Sequence, residues 1–229
     1  MKNNRSLLLS EKFIAENKLS TLSPAQDSLF WKLWNACSDI ADQALHTDFI
    51  QGIKNGDLDP VKYGGFNVSD AYYCFKGAED YLTASSKATD PTLKAFLNKK
   101  YESYKAYNDT FPKTWHVKDA KGIVPLDICK QYSDFEKETV TNEAAIYALI
   151  VMLPCEYLWA WLGAKLSPPA KGNLYAKWIS GNNDPSGAYA MGNFIEIYRE
   201  VFPVDESLAL DLYKRAMTFE YKNFKAATE

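Results

Sequence analysis

Apolar residues recur at spacings of three and four along nearly the whole chain, and stretches that alternate residue by residue are hard to find. The pattern predicts an all-α protein with helices over 24–47, 48–55 (a short turn), 60–87, 91–110, 126–140, 143–166, 171–180, 186–201 and 205–226. Start signals agree with it. Ser23-Pro24, Asp59-Pro60, Asp90-Pro91 and Asp205 each stand before a periodic run, where a side-chain oxygen accepts a first-turn amide and proline loses no hydrogen bond. The breaks are short: Asn55-Gly56, Phe111 to Pro125, Ser167-Pro168-Pro169 and the loop from Gly181 to Gly187. None reads as a domain linker. The expectation is one helical domain over 24–229, a multi-helix bundle, preceded by a partly ordered N-terminal extension over 1–23.

From Ala144 to Ala164 the chain reads AAIYALIVMLPCEYLWAWLGA, about the length needed to cross a bilayer. Pro154 and Glu156 stand at its centre, and a charge there is costly in lipid. A fully buried helix at the heart of the bundle is the preferred reading. The start of the chain carries an apolar run of only three leucines, too short for a secretory core. The expected location is the cytoplasm, with no membrane partner.

Composition narrows the chemistry. At 229 residues, with 26 Lys+Arg against 29 Asp+Glu, the net charge is −3, so no basic field is available to hold nucleic acid. Four scattered cysteines without a CxxC pair and only two histidines argue against a zinc site and a disulfide framework. The chain holds 15 Tyr and 6 Trp, more rings than a core of this size needs; rings can also line a pocket for a flat ligand.

Several residues stand out. Cys155 follows Pro154 in the most apolar segment, either as an inert buried thiol or as a nucleophile. Asp70, with Tyr73 three residues on, sits among aromatic residues; it is either solvent-facing or buried with a raised pKa. Glu220 lies between Phe219 and Phe224, facing inward or forming a surface ion pair with Lys222. The Tyr101, Tyr104, Tyr107 stripe reads as a half-buried helix face. His46, at the end of the first long helix, is read as a favourable cation at a helix C-terminus, with haem ligation as the alternative.

Taken together, these segments resemble the thiaminase II (TenA) family of the haem-oxygenase-like superfamily. Phe49-Ile-Gln-Gly-Ile-Lys-Asn-Gly56 is similar to its FxQGIxxG signature, Ser69-Asp-Ala-Tyr-Tyr73 to QDxxY, and Leu153-Pro-Cys-Glu-Tyr-Leu158 to LPCxWLY. Tyr175-Ala-Lys-Trp-Ile179 resembles YxxWI, and Phe219-Glu-Tyr-Lys-Asn-Phe224 the terminal ExxFW. The order is as expected over roughly residues 25–226. The resemblance implies an aminopyrimidine aminohydrolase in thiamine salvage that releases hydroxymethyl-pyrimidine without metal or cofactor, as a homotetramer acting on a small thiamine-related pyrimidine. It implies Cys155 as nucleophile, Glu220 as general acid/base, Asp70 as the carboxylate that reads the pyrimidine amino group and ring nitrogen, and Tyr73 and Tyr132 as pocket residues.

The chain departs from the family pattern at three places. Trp159 stands where LPCxWLY ends in Tyr, Asn182 stands nearest to a further pocket tyrosine, and Asn223-Phe224 replaces Phe-Trp. Trp159 keeps a ring in the wall but changes the hydroxyl geometry. Two rival expectations accompany the hydrolase: a pyrimidine-binding or regulatory protein without turnover, and a redox enzyme with haem on His46 or a carboxylate-bridged metal pair. The second lacks the ExxH spacing that a di-iron bundle uses.

Overall fold

The structure, a computed structural model, describes residues 2–16 and 21–229. In chain order the helices are α1 (Lys2–Glu16), α2 (Leu29–Ala36), α3 (Ser38–Leu45), α4 (Asp48–Asn55), α5 (Pro60–Lys87) and α6 (Pro91–Asn108). They continue with α7 (Phe111–Thr114), α8 (Asp127–Asn142), α9 (Tyr147–Leu166), α10 (Ala176–Gly181), α11 (Ser186–Arg199) and α12 (Glu206–Ala226). No strand occurs among the described residues, so the all-α expectation holds. Of the expected extension over 1–23, residues 2–16 are helical, and 17–20 lie outside the described residues.

Capping chemistry sets most boundaries. The Asp59 carboxylate accepts the Val61 amide ahead of α5, Asp90 accepts those of Thr92 and Leu93 ahead of α6, and Asp205 those of Ser207 and Leu208 ahead of α12. Gly56 closes α4 at φ 80°, the left-handed conformation that glycine adopts without a Cβ clash.

Three expected helices change. The segment 24–47 is two helices, because the chain leaves helical geometry at Cys37 (φ −124°, ψ 13°). It also starts later, at Leu29: Ser28, whose amide closes a turn onto Ala25, supplies the cap in place of Ser23. The segment 171–180 shortens to α10, since Gly172 has φ 84° and Asn173 turns its side chain to other work. Its amide nitrogen donates to the Ile53 and Lys54 carbonyls at the end of α4, and its oxygen accepts the Tyr175 amide. The apolar segment from 143 begins its helix at Tyr147, after a turn, and one extra helical turn, α7, lies in the expected break after Phe111.

Helix α9 is the axis of the molecule. It is long and apolar enough to cross a membrane, but 72% of its apolar window is buried inside the fold. From Tyr147 to Pro154 every side chain is buried, each large aliphatic one contributing about 2 kcal/mol of transfer free energy. Around it pack α5, α8, α10, α11 and α12. One contiguous apolar core runs from Leu29 in α2 to Ala227 after α12. Gly163 fixes one approach: a Cβ there would lie 2.4 Å from the Asn182 carbonyl oxygen, so only glycine lets the loop after α10 settle against α9.

Candidate active site

Spacing by four residues does much of the positioning. Asp70 and Cys74 on α5, Tyr132 and Glu136 on α8, and Cys155 and Trp159 on α9 are each one helical turn apart and so share a face. Those faces meet the inner face of α12 at Glu220. Between α5, α6, α9 and the loop 181–187 lies a cavity of about 410 Å³, lined by Asp70, Cys74, Tyr104, Tyr107, Cys155, Trp159 and Asn182 among others. That is the size of a small-molecule site.

Beneath the cavity is a dry layer. Tyr73, Tyr132, Glu136 and Glu220 are 2%, 1%, 0% and 2% exposed, so bulk water reaches none of them. The Tyr73 hydroxyl donates to Glu136 Oε1 at 2.9 Å, and the Trp159 indole donates to Glu220 Oε2 at 3.1 Å. Tyr73 stacks on Tyr132 at 4.9 Å, and Tyr132 stacks on Phe219 at 5.4 Å with planes 9° apart. The rings hold the acids in place and exclude solvent from them.

Burial raises the pKa of Glu220, Asp70, Glu136 and Cys155. It pushes Glu220 up to about 8, against hydrogen bonding by Trp159, Tyr132 and Cys155, and Asp70 up to about 7, against the Cys74 thiol. Glu136 is pushed well above the carboxylate range by burial and by Asp80, with Tyr73 pulling the other way. The Cys155 thiol is raised by burial first, then by the charges of Glu220, Asp70, Glu156 and Glu136. At neutral pH the thiol keeps its proton, while Glu220 and Asp70 titrate within about a unit of it. The group can therefore exchange protons at the pH where a cell works.

At the mouth Lys100 pairs with Glu156 at 2.5 Å, and its ammonium also sits over the Tyr81 and Tyr104 rings at 5.8 and 6.0 Å. The mouth is thus a closed charge pair, unlike the floor.

The sequence-derived residues distribute as follows. Asp70, Cys155 and Trp159 line the cavity. Glu220 lies against Cys155 and Trp159 rather than at the surface with Lys222. Tyr73 and Tyr132, expected as pocket residues, belong to the layer behind the cavity lining, since the Tyr73 hydroxyl bonds to the buried Glu136 and the Tyr132 ring stacks between Tyr73 and Phe219. Two members of the tyrosine stripe, Tyr104 and Tyr107, line the cavity, because α6 packs on α5. Glu136 was not anticipated; its signal is the four-residue step from Tyr132. His46 sits in the open, its Nδ1 2.8 Å from the Asp42 carbonyl oxygen, as a helix-end histidine does, and it is no part of this cavity.

The profile of the TENA/THI-4/PQQC family matches residues 34–222, a span that contains every residue of this site. No curated protein matches the chain. Among solved structures, it is similar to a TenA family transcription regulator from Silicibacter sp. TM1040 at 16% identity, covering 88% of this chain and 97% of that one, with TM-score 0.75. It is similar to a TenA homologue from P. horikoshii OT3 at 19%, 87% and 98%, with TM-score 0.74. A protein titled a putative TenA-like thiaminase, from Sulfolobus solfataricus P2, gives 15%, 86% and 94%, with TM-score 0.66. The helices, with α9 at their centre, thus take the helical haem-oxygenase-like fold of TenA structures. With the profile match running from α2 into α12, the chain belongs to the TENA/THI-4/PQQC family.

Proposed function

We propose that this protein is a thiaminase II-like aminopyrimidine aminohydrolase, and that the observation carrying this reading is Asp70 and Cys155 lining one cavity with Glu220 against Cys155 in the layer beneath it. Asp70 pairs with the amino group and a ring nitrogen of the pyrimidine, and its pKa near 7 suits a proton shared with that ring. A protonated ring adds positive charge beside the acids, which favours their ionised forms. Cys155 then gives its proton to the Glu220 carboxylate and its sulfur bonds to a carbon of the activated ring. The exocyclic C–N bond breaks as the leaving amine takes a proton from Glu220. Water adds at the exocyclic methylene, giving a proton to the acid, and the sulfur leaves with one to restore the thiol. Tyr104, Tyr107 and Trp159 supply ring faces around the substrate, with Tyr73 and Tyr132 supporting the acids from behind.

Cys155→Ser and Glu220→Gln should each lower hydrolysis of an aminomethyl-pyrimidine by about 100-fold or more. Full hydrolysis by either variant would overturn the assignment. In the same reading the enzyme works in the cytoplasm as a homotetramer, for which sedimentation should show the mass of four chains.

One observation favours a second reading. The Trp159 indole occupies Glu220 Oε2, so a protein that binds hydroxymethyl-pyrimidine without turnover is its consequence if that bond is never released. Calorimetry decides: tight binding with no product over hours sinks the enzyme.

A further inference from the structure

The cavity has two ends. Asp70, Cys155 and Trp159 line the inner one, and Lys100, Glu156, Asn182 and Asp184 the outer one. Helix α6 runs along both: the Tyr104 hydroxyl lies 3.9 Å from the Cys155 sulfur, and Lys100 stands one helical turn away, about 6 Å along the axis. At about 410 Å³ the space exceeds what one ring with an amino group fills. With the pyrimidine and its exocyclic methylene at Asp70 and Cys155, the outer end receives whatever the methylene carries.

That outer end is short of hydrogen-bond donors. The Lys100 ammonium is held by Glu156 Oε1 and lies over the Tyr81 and Tyr104 rings, with its side chain 13% exposed. Asn182 donates from Nδ2 to the Trp178 carbonyl at 2.8 Å, and Ser103 from its hydroxyl to the Lys99 carbonyl at 3.0 Å. What remains toward the cavity is oxygen. Glu156 Oε2 faces Gly187, where a Cβ would come within 3.0 Å of it, so the glycine leaves room beside that oxygen. Asp184 is exposed on the loop before α11. The Ser186 amide donates to its Oδ1 at 2.9 Å, and this bond, with one from the Ser186 side chain, holds its carboxyl below the usual carboxylate range. Asp184 is therefore an anion at neutral pH, and no ion pair among the described residues includes it. Lys100 compensates Glu156; nothing compensates Asp184.

We propose that Asp184 is a specificity-determining residue of this cavity, selecting pyrimidines whose leaving amine carries a second, positively charged nitrogen. Such an ammonium brings the N–H donors that the outer end lacks, and Asp184, Glu156 Oε2 and Asn182 Oδ1 are the acceptors that meet it. A carboxylate arm would find like charge there, with the one cation already engaged. A hydroxyl arm would supply a single donor and leave the Asp184 charge unmatched. The inference rests on the hydrolase reading above for which part of the substrate points outward.

The test uses three aminomethyl-pyrimidines whose exocyclic nitrogen bears an arm of equal length: 3-aminopropyl, 3-hydroxypropyl or 2-carboxyethyl. The parent should favour the ammonium arm over the hydroxyl arm by about tenfold in kcat/KM, with the carboxylate arm last, and the preference should shrink as salt is added. Asp184→Asn, which can still accept the Ser186 amide, should bring the ratio to within about threefold. Gly187→Ala, which crowds Glu156 Oε2, should lower it too, and decides if Asp184→Asn fails to fold. A parent that favours the hydroxyl or carboxylate arm, or a preference that survives Asp184→Asn, would overturn the proposal. So would hydrolysis of unsubstituted aminomethyl-pyrimidine with none of the three armed compounds. A parent that hydrolyses none of the four defeats the hydrolase reading instead, and the same ratios taken from Kd in calorimetry then decide for Asp184; binding of none overturns both.

Discussion

At the mouth of the cavity Glu156 meets the Lys100 ammonium, whereas on its floor Glu220 and Glu136 meet an indole and two phenols. Both regions take carboxyls partly or wholly out of water. A cation compensates the charge at the mouth; on the floor no ion pair among the described residues reaches either acid. The difference is one of purpose. A carboxylate beside its own cation has its charge compensated, while burial among neutral donors raises Glu136 well above the carboxylate range and leaves Glu220, at about 8, able to gain and lose a proton near neutrality. The second arrangement costs stability whenever the group is charged.

Opposite signs should therefore follow from neutralising the two regions. The largest effect is expected at Glu220. An unfolded glutamate ionises near 4.5 and the folded one near 8, so between those values the unfolded state has lost a proton that the folded state keeps. Stability falls as pH rises through that window. Glu220→Gln should then be more stable than the parent by about 2–5 kcal/mol at pH 9 and scarcely changed at pH 4, in urea melts at both pH values. A parent whose stability does not decline over that range would erase the contrast.

Asp80 should show the same sign on a smaller scale. Its pKa is raised from 3.8 to about 7 by burial and Glu79, against the pull of Lys137 and Lys76. Asp80→Asn should add about 1–3 kcal/mol above pH 7 and nothing measurable below pH 4, by the same melts. The smallest effect, of opposite sign, belongs to the mouth. Lys100→Met leaves Glu156, at 17% side-chain exposure, without its cation and should lower stability at neutral pH by about 1 kcal/mol. A stabilised Lys100→Met protein would show that the mouth carries its acid as the floor does.

Most of the fold was legible because helix periodicity and caps are local. Asp59-Pro60 and Asp90-Pro91 start α5 and α6 where the chain says they should. The break at Cys37 and the shortening of 171–180 were not legible, since the second depends on Asn173 bonding to Ile53 and Lys54 more than a hundred residues away. The site divides the same way. Asp70, Cys155 and Glu220 stand in apolar surroundings that advertise them. Glu136 lies in DICKQYSDFEKETVTN, a segment so polar that an acid within it looks like one more solvated charge; only the packing of α8 on α5, α9 and α12 buries it. Tyr104 reads as part of a half-buried helix face, and with lysines on either side of it in sequence nothing local marks that face as a cavity wall.

The protonated state of the Cys155 thiol has a consequence for durability. Peroxide and other electrophilic oxidants consume thiolates far faster than thiols. Burial and the surrounding acids keep Cys155 in its thiol form at rest, although it is the one cysteine here that is not fully buried. The same electrostatics that make the sulfur wait for a proton acceptor also make it a poor target in an idle protein. If the protein is the hydrolase proposed above, oxidative damage falls on molecules caught in turnover, and the sulfur needs no disulfide partner to guard it between substrates.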